Sequence, residues 1–440
     1  MKKKQSGYHD EIFSILGALG ISVTIAWVLT RFGGASSPES TWEVWVYRLM
    51  FFWIIFIAVR TLFLILFSFA DRYYSARLPE LKVFPVVSVL IPCFNEELVV
   101  EKALESAYAL DYPNLEILLI DDGSTDQTLS RAETWRSQRA PLHHALRILS
   151  QPNTGKYHAL NHGLAEASGE FVLCVDADST LDPSALREGL PHFFVDPQVG
   201  AVAGQVRVSN RETGMGRFQA LEYMVGLNFH KSAQSFMKSV MIVPGPVGLF
   251  RRQLLLDLGG YRSNSFAEDC EMTIRLLMSG FRVVYHAGMI AHTEVPEDFR
   301  SLLQQRYRWS RGTLQAISVH SNWVFQPWKS LRNFLILSYF WLETALIPTA
   351  NFVFAILFLE HAVLTGRMNV LGPYFIQLTL LDGVLTVYSL FAERGLMGQL
   401  LLSMVNRLTY GLSLEVVRFF SMLDEVFGLP MNWGKLVRRG

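Results

Sequence analysis

Cysteine is nearly missing from this chain, with three residues in 440 (Cys93, Cys174 and Cys270). None has a neighbour at a metal-binding or disulfide-framework spacing. That excludes a disulfide-stapled secreted scaffold and fits a reducing compartment. Charge is scarce as well: 18% of the residues are charged, where globular domains average about 25%. The 39 basic and 39 acidic side chains cancel, which argues against a nucleic-acid binder held by phosphate attraction. No internal repeat or low-complexity tract stands out. A phosphate-cradling P-loop is also absent, because Gly155-Lys156 lacks the G-x-x-x-x-G-K-[ST] spacing.

What fills the space left by charge is apolar, half of all residues. Residues 12–31 and 45–69 are long enough to cross a bilayer core of ~30 Å at about 1.5 Å per residue. So are 333–361 and 373–392, and 397–424 is a weaker segment carrying Asn406, Arg407, Glu415 and Arg418. The first stretch follows Lys2-Lys3-Lys4 but is too long for a signal peptide and has no small-residue cleavage site, so it reads as a retained helix. Those lysines, with Arg72, Arg77 and Lys82 after the second span, place the intervening polar domain in the cytoplasm. The expected plan is two transmembrane helices in 1–75, a cytoplasmic domain in 76–297, amphipathic interfacial helices in 298–332, and two or three spans in 333–440. Three full spans would leave the basic tail Lys435-Leu436-Val437-Arg438-Arg439 outside, so the last segment is read as re-entrant, interfacial or lining a polar cavity.

The polar domain alternates strand and helix with short links: strands at 86–92, 115–120 and 146–149, a further strand from Phe171, and helices between them. That pattern predicts a mostly parallel, doubly wound α/β sheet with right-handed crossovers. Phe171-Val172-Leu173-Cys174-Val175 is a continuous apolar run, as in a strand buried on both faces, and it ends on Asp176-Ala177-Asp178. Two ionised carboxylates about 4 Å apart repel by roughly 4 kcal/mol at a surface-like dielectric. A divalent cation removes that penalty, and one with few protein oxygens also takes phosphate oxygens. A lone D-x-D is equally a polar exit from a strand. Two other strand ends reach the same sheet edge, however, with Asn95/Glu96 and Asp121/Asp122. Acids, an amide and Lys156 together suit a nucleotide diphosphate: an acid can accept from a uracil or ribose edge and the lysine offsets phosphate charge.

In this order and spacing the chain resembles the membrane-integrated family 2 glycosyltransferases, the processive β-polysaccharide synthases, and within them poly-β-1,6-N-acetylglucosamine synthases. The resemblance is carried by Pro92-Cys93-Phe94-Asn95-Glu96, Asp121-Asp122-Gly123-Ser124-Thr125-Asp126, Gly155-Lys156 and Val175-Asp176-Ala177-Asp178, then Pro244-Gly245-Pro246, Ala267-Glu268-Asp269 and Gln305-Arg306-Tyr307-Arg308-Trp309. It covers about residues 85–312. It implies a GT-A fold inserted between transmembrane helices of a multi-pass inner-membrane protein. It further implies a UDP-sugar donor, a growing polysaccharide acceptor, Mg2+ or Mn2+, the lipid bilayer and room for a small membrane partner subunit. Asp122 resembles the acid that holds uracil, Asp176 the acid near ribose and diphosphate, and Asp178 the metal ligand, with Asp176 beside it. Asp269, with Glu268, takes the place of the base in a T-E-D triplet whose threonine is Ala267 here. Asn95, Glu96 and Lys156 fall on the donor side.

The chemistry also follows from residue types. Inverting transfer from an α-linked sugar nucleotide needs a base for the acceptor hydroxyl and charge stabilisation for the departing diphosphate. Gln305, Arg308 and Trp309 lie at i, i+3 and i+4, so one helix face offers an amide, a guanidinium and an aromatic plane. A guanidinium suits phosphate, and an indole suits the C–H face of a sugar. The same helix reads as amphipathic, with Phe299, Leu302, Leu303 and Tyr307 as a membrane-surface side and Trp323, Phe325 and Trp328 as interfacial anchors. Val243-Pro244-Gly245-Pro246-Val247-Gly248 reads as a stiff turn that is either a plain connection or, as the resemblance implies, a wall of the acceptor site. His292 is either a metal neighbour or a satisfied histidine. Arg207, Arg251 and Arg252 either contact phosphate or acceptor or serve as surface charges. Hyaluronan-, chitin- and cellulose-type synthases of the same family share this signature, and two further rivals share these residues: a non-processive transferase making a glycolipid, and a membrane scaffold with a decayed enzyme domain.

Overall fold

The computed structural model describes residues 41–139, 143–324, 326–365, 368–393, 395, 398–407 and 409–430. The apolar stretch 12–31, the lysines at 2–4, Phe325 and the basic tail at 435–439 lie outside the described residues. The polar domain is built on one eight-stranded sheet: β1 (Val87–Cys93), β2 (Leu115–Asp121), β3 (Ala145–Ser150), β4 (Phe171–Cys174), β5 (Ser179–Leu181), β6 (Val199–Val208), β7 (Gly248–Arg251) and β8 (Arg282–Thr293). Their order is β3-β2-β1-β4-β7-β6-β8-β5.

The parallel reading holds for one half only. Strands β3, β2, β1 and β4 pair in parallel, as the strand–helix alternation requires. Beyond β4 the sheet is mixed: β7 runs antiparallel to both β4 and β6, β6 is parallel to β8, and β5 is antiparallel to β8. The expectation of a mostly parallel sheet is therefore corrected. The alternating pattern stops at residue 174, and the chain reaches β7 only after a long helical excursion whose direction no local periodicity encodes.

Both faces of β1, β2 and β4 are covered, which is why these three strands are mostly apolar and fully buried, whereas the edge strand β3 is only partly buried. Val89, Ile91 and Leu119 pack on the side of helix α2 (Val100–Tyr108), and Trp135 of α3 (Thr128–Gln138) closes that layer. Leu90, Leu118 and Ile120 face α4 (Lys156–Glu166) through Leu160 and Leu164. The register puts Cys93 opposite Asp121 and Asp121 opposite Ser150, so the strand ends form one level edge. β4 stops at Cys174, so Asp176 and Asp178 sit in the loop that follows it rather than on the strand.

Helix α1 (Thr41–Ser75) precedes the sheet. Between β6 and β7 a continuous helix runs from α5 (Gly214–Glu222) through a π-helical stretch (Tyr223–Asn228) into α6 (Phe229–Phe236). After the turn at 243–248 come α7 (Glu268–Met278) and α8 (Phe299–Val319). The last part holds α9 (Leu331–Trp341), a π-helical stretch (Leu342–Leu346), α10 (Ile347–Thr365), α11 (Met368–Glu393), α12 (Gly398–Asn406) and α13 (Tyr410–Val426). Among the described residues, three segments are long and apolar enough to cross a membrane: Arg48–Ser75, Leu331–Leu357 and Ile376–Glu393. The weaker 397–424 segment is a pair, α12 and α13, bent by 49°. Its break falls beside Arg407, whose guanidinium donates to both carboxylate oxygens of Asp382 at 2.7 and 2.9 Å.

Helix α8 is less exposed than an interfacial reading expects. Leu302 is buried against Tyr410 and Leu414, and the Tyr307 hydroxyl donates to Asp424 at 2.6 Å. Arg311 pairs with Glu425 at 2.9 Å. Helix α13 thus covers part of the side assigned to a membrane surface, because that side carries polar anchors as well as apolar ones. Phe299 and Trp328 remain exposed.

Candidate active site

The level edge of the sheet is braced before it can bind anything. Asn95 has a positive φ of 53°, a conformation that asparagine tolerates better than most residues. Its side chain accepts from the Thr125 backbone N–H at 2.7 Å, while its own N–H donates to Ser124 Oγ at 2.9 Å. The Glu96 N–H donates to Thr128 Oγ1 at 2.7 Å. The β1 exit is thereby fastened to the β2 exit, and Asn95 acts in the fold as a brace.

Asp122 fixes the next loop. One of its oxygens accepts from Gln151 Nε2 (2.7 Å) and the Thr154 N–H (3.0 Å), the other from the Gly155 N–H (2.8 Å). A carboxylate offers about four lone-pair sites, so one acceptor position is left for a nucleobase or ribose. These bonds also set the start of α4, where Lys156 extends toward the acids. Its ammonium lies 2.7 Å from Asp176 Oδ1 and 3.0 Å from Glu268 Oε1. Burial works against that ammonium, but the charges of Asp176, Glu268 and Asp269 outweigh it and hold its pKa well above the usual lysine value. Burial also raises the Asp176 carboxyl, against the pull of Lys156.

Glu268 and Asp269 open α7, where carboxylates suit the positive end of the helix. Asp269 Oδ1 accepts from the Cys270 N–H at 2.7 Å. Burial first, and then the neighbouring Glu268 charge, push Asp269 up to about 7 despite Lys156. That value is suited to a group that must take a proton near neutrality. The 243–248 turn closes the site from the other side. A Cβ on Gly245 would sit 2.6 Å from Asp176 Oδ2 and 3.0 Å from Lys156 Nζ, so only glycine lets this backbone meet the ion pair. Gly245→Ala is expected to displace Asp176 and weaken nucleotide binding at this edge by about tenfold or more, read by calorimetric titration with UDP as the probe, while leaving the thermal midpoint little changed. Undiminished UDP affinity would show that the turn has slack.

Asp178 Oδ1 accepts from Ser179 Oγ at 2.9 Å and Thr293 Oγ1 at 3.3 Å. Among the described residues no cluster of three or more His, Cys, Asp or Glu side chains is arranged as a self-sufficient metal cage. One or two carboxylate oxygens fit Mg2+ or Mn2+ of the sort that completes its shell with substrate phosphates and water.

These groups line one cavity of about 1520 Å3 that also takes in Glu96, Gln305, Arg308 and Trp309. The structure thus brings together every candidate site residue except Asn95, which stands behind the lining. The cavity continues between the apolar helices, past Glu343, Asp382 and Glu415. The remaining candidates go elsewhere. Arg251 donates to the Val199 and Phe193 carbonyls and Arg252 to the Leu164 carbonyl, so both tie strands and helices together. His292 lies in β8 opposite Thr180 and Arg207, away from the cavity lining.

Several cavity residues escaped the sequence reading. Lys231 is buried, donates to the Gly204 carbonyl at 3.0 Å, and burial lowers its pKa to about 7. Arg306 pairs with Glu222 at 2.6 Å. Nothing in the sequence joins Glu222 to a helix 84 residues away, and Arg306, though part of the stretch Gln305-Arg306-Tyr307-Arg308-Trp309, carries no role of its own in that reading.

The profile described as glycosyltransferase like family 2 matches residues 85–312. A poly-beta-1,6-N-acetyl-D-glucosamine synthase of Staphylococcus aureus (strain COL) is 31% identical over 243 residues, which is 55% of this chain and 58% of that protein. A protein of the same name from Staphylococcus epidermidis is 31% identical over 227 residues, 51% and 54% of the two chains. The chain thus spans about half the length of the curated relatives it matches. Among solved structures, mannosyltransferase PcManGT from Pyrobaculum calidifontis, in complex with GDP-Man and Mn2+, aligns with a TM-score of 0.57. It is 22% identical and covers 84% of this chain and 96% of its own. That likeness shows a shared GT-A-like fold.

Proposed function

The chain belongs to the glycosyltransferase-like family 2, and from that membership we propose that it is a processive, inverting glycosyltransferase that extends a β-linked polysaccharide from a UDP-sugar, UDP-N-acetylglucosamine foremost, and passes the polymer across the plasma membrane. The observation that carries this reading is the single cavity joining the carboxylate cluster to polar groups among apolar helices. A transferase that released one short product would not need that continuation.

In this reading the donor lies along the sheet edge, with its base toward the remaining acceptor position of Asp122. Lys156 and Arg308 offset diphosphate charge, and Asp178, with Asp176 beside it, would hold Mg2+ or Mn2+ together with phosphate oxygens. The ion supplies Lewis-acid stabilisation of the departing diphosphate. Asp269 takes the proton from the acceptor hydroxyl as its oxygen attacks the anomeric carbon and the bond to UDP breaks, converting an α to a β linkage. Glu268 holds Lys156 beside it. Trp309 presents an apolar plane to the acceptor sugar and Gln305 an amide. Donor and metal are then on the cytoplasmic side, and the growing chain leaves between the helices.

Membranes incubated with radiolabelled UDP-sugars and Mg2+ or Mn2+ test the proposal. Polymer of high and broadly distributed length is expected from UDP-N-acetylglucosamine, and chelation should stop it until metal returns. Uniformly short, lipid-linked products would replace this reading with the glycolipid transferase. No turnover with any UDP-sugar would favour the scaffold, which expects lost acids where Asp178 and Asp269 are in fact present.

A further inference from the structure

Trp309 is 37% exposed, yet the residue beneath it, Arg306, is 3% exposed. Nε of Arg306 donates to Glu222 Oε1 at 2.9 Å and Nη2 donates to Glu222 Oε2 at 2.6 Å. Such a forked pair fixes the guanidinium plane and leaves its faces for aromatic contact. One ring over that guanidinium is Trp309, its centroid 4.3 Å from the central carbon, and another is Tyr223 at 5.8 Å. Glu222 ends α5 and Tyr223 begins the π-helical stretch, and the Tyr223 ring lies 6.3 Å from that of Trp309. Nη1 of Arg306 donates to Gln305 Oε1, which leaves Gln305 Nε2 as the donating end of that amide. The Glu222 carboxylate also accepts from the Tyr410 hydroxyl at the start of α13, where Phe218 stacks on the Tyr410 ring at 5.4 Å.

We propose that Arg306 is the positioning residue of the acceptor platform: it sets the tilt of Trp309 and the orientation of Gln305, and through Glu222 and Tyr410 it ties both to the C-terminal helix pair. The inference rests on the reading of Trp309 as an acceptor platform. Three segments far apart in the chain meet here: α8 brings Gln305, Arg306 and Trp309, the end of α5 and the π-helical stretch bring Glu222 and Tyr223, and α13 brings Tyr410, while the groups turned to the acceptor are the Trp309 ring and the Gln305 amide. The arrangement makes a specific demand. Loss of any member should disturb acceptor binding and the number of sugars added per encounter, and should leave donor binding alone, because Lys156, Asp122 and Asp178 do not enter the network.

The test uses the full chain in lipid nanodiscs, with radiolabelled UDP-N-acetylglucosamine, Mn2+ and a β-linked N-acetylglucosamine oligomer as acceptor. Arg306→Lys keeps the charge but loses the planar fork. It is expected to raise the acceptor KM by about tenfold and shorten the product, with UDP affinity by calorimetry within about twofold. Glu222→Gln should act in the same direction. Tyr410→Phe removes one hydroxyl and should give a smaller shift of the same kind, so it decides the matter if the charged variants fail to assemble. Equal loss of donor and acceptor affinity, or unchanged acceptor KM and product length in Arg306→Lys and Tyr410→Phe, would overturn the positioning role. A wild-type chain that makes no polymer at all would instead overturn the polymerase reading on which it stands.

Discussion

Asp269→Asn should lower turnover by about 10^3-fold while UDP binds within about twofold of the parent. The amide is the same size and still accepts from the Cys270 N–H, so the start of α7 should survive. What it cannot do is take a proton. The acid limb of the pH profile gives a second readout. Burial and the Glu268 charge hold the Asp269 carboxyl at about 7, and only the ionised form can act as a base. The rate should therefore fall as pH drops through 7 in the parent, from the kcat/KM profile that reports the free enzyme. In the Asn variant the residual rate should lose that limb. Turnover near the parent level would remove Asp269 as the base.

Lys156→Met has the next largest expected effect, and it works through two routes. The ammonium bridges Asp176 and Glu268, so its loss leaves three acids without their common cation. Like charges then disfavour ionisation further, and the Asp269 pKa should move upward by at least about one unit. The acid limb shifts to higher pH, opposite to the outcome of adding a cation. Independently, a diphosphate loses one of its charge partners, so the donor KM should rise by about tenfold to a hundredfold. Steady-state kinetics across pH 5.5–9 separate the two routes, since only the first moves the limb. An unmoved limb with a raised KM would show that Lys156 serves the donor and does not tune the base.

The sequence by itself was enough for the parallel half of the sheet, because short strand–helix alternation dictates right-handed parallel crossovers. It was also enough for the level edge, since buried strands that end on acids must deliver them there, and for the apolar helices at Arg48–Ser75, Leu331–Leu357 and Ile376–Glu393, whose length and composition are local properties. Tertiary structure alone decided the rest. β7 joined the sheet antiparallel after an excursion of some forty residues, a pairing that no nearby residue specifies. Asp122 turned out to hold the Thr154–Gly155 loop, and Asp176 to be paired with Lys156, because a carboxylate's partners are set by whichever donor the fold brings within about 3 Å. Arg306 found Glu222, and Glu222 found Tyr410, across separations where the chain carries no periodic signal. Periodicity records what a residue does for its own helix or strand. Charge pairing in a buried cavity depends on elements that meet only once the chain has folded.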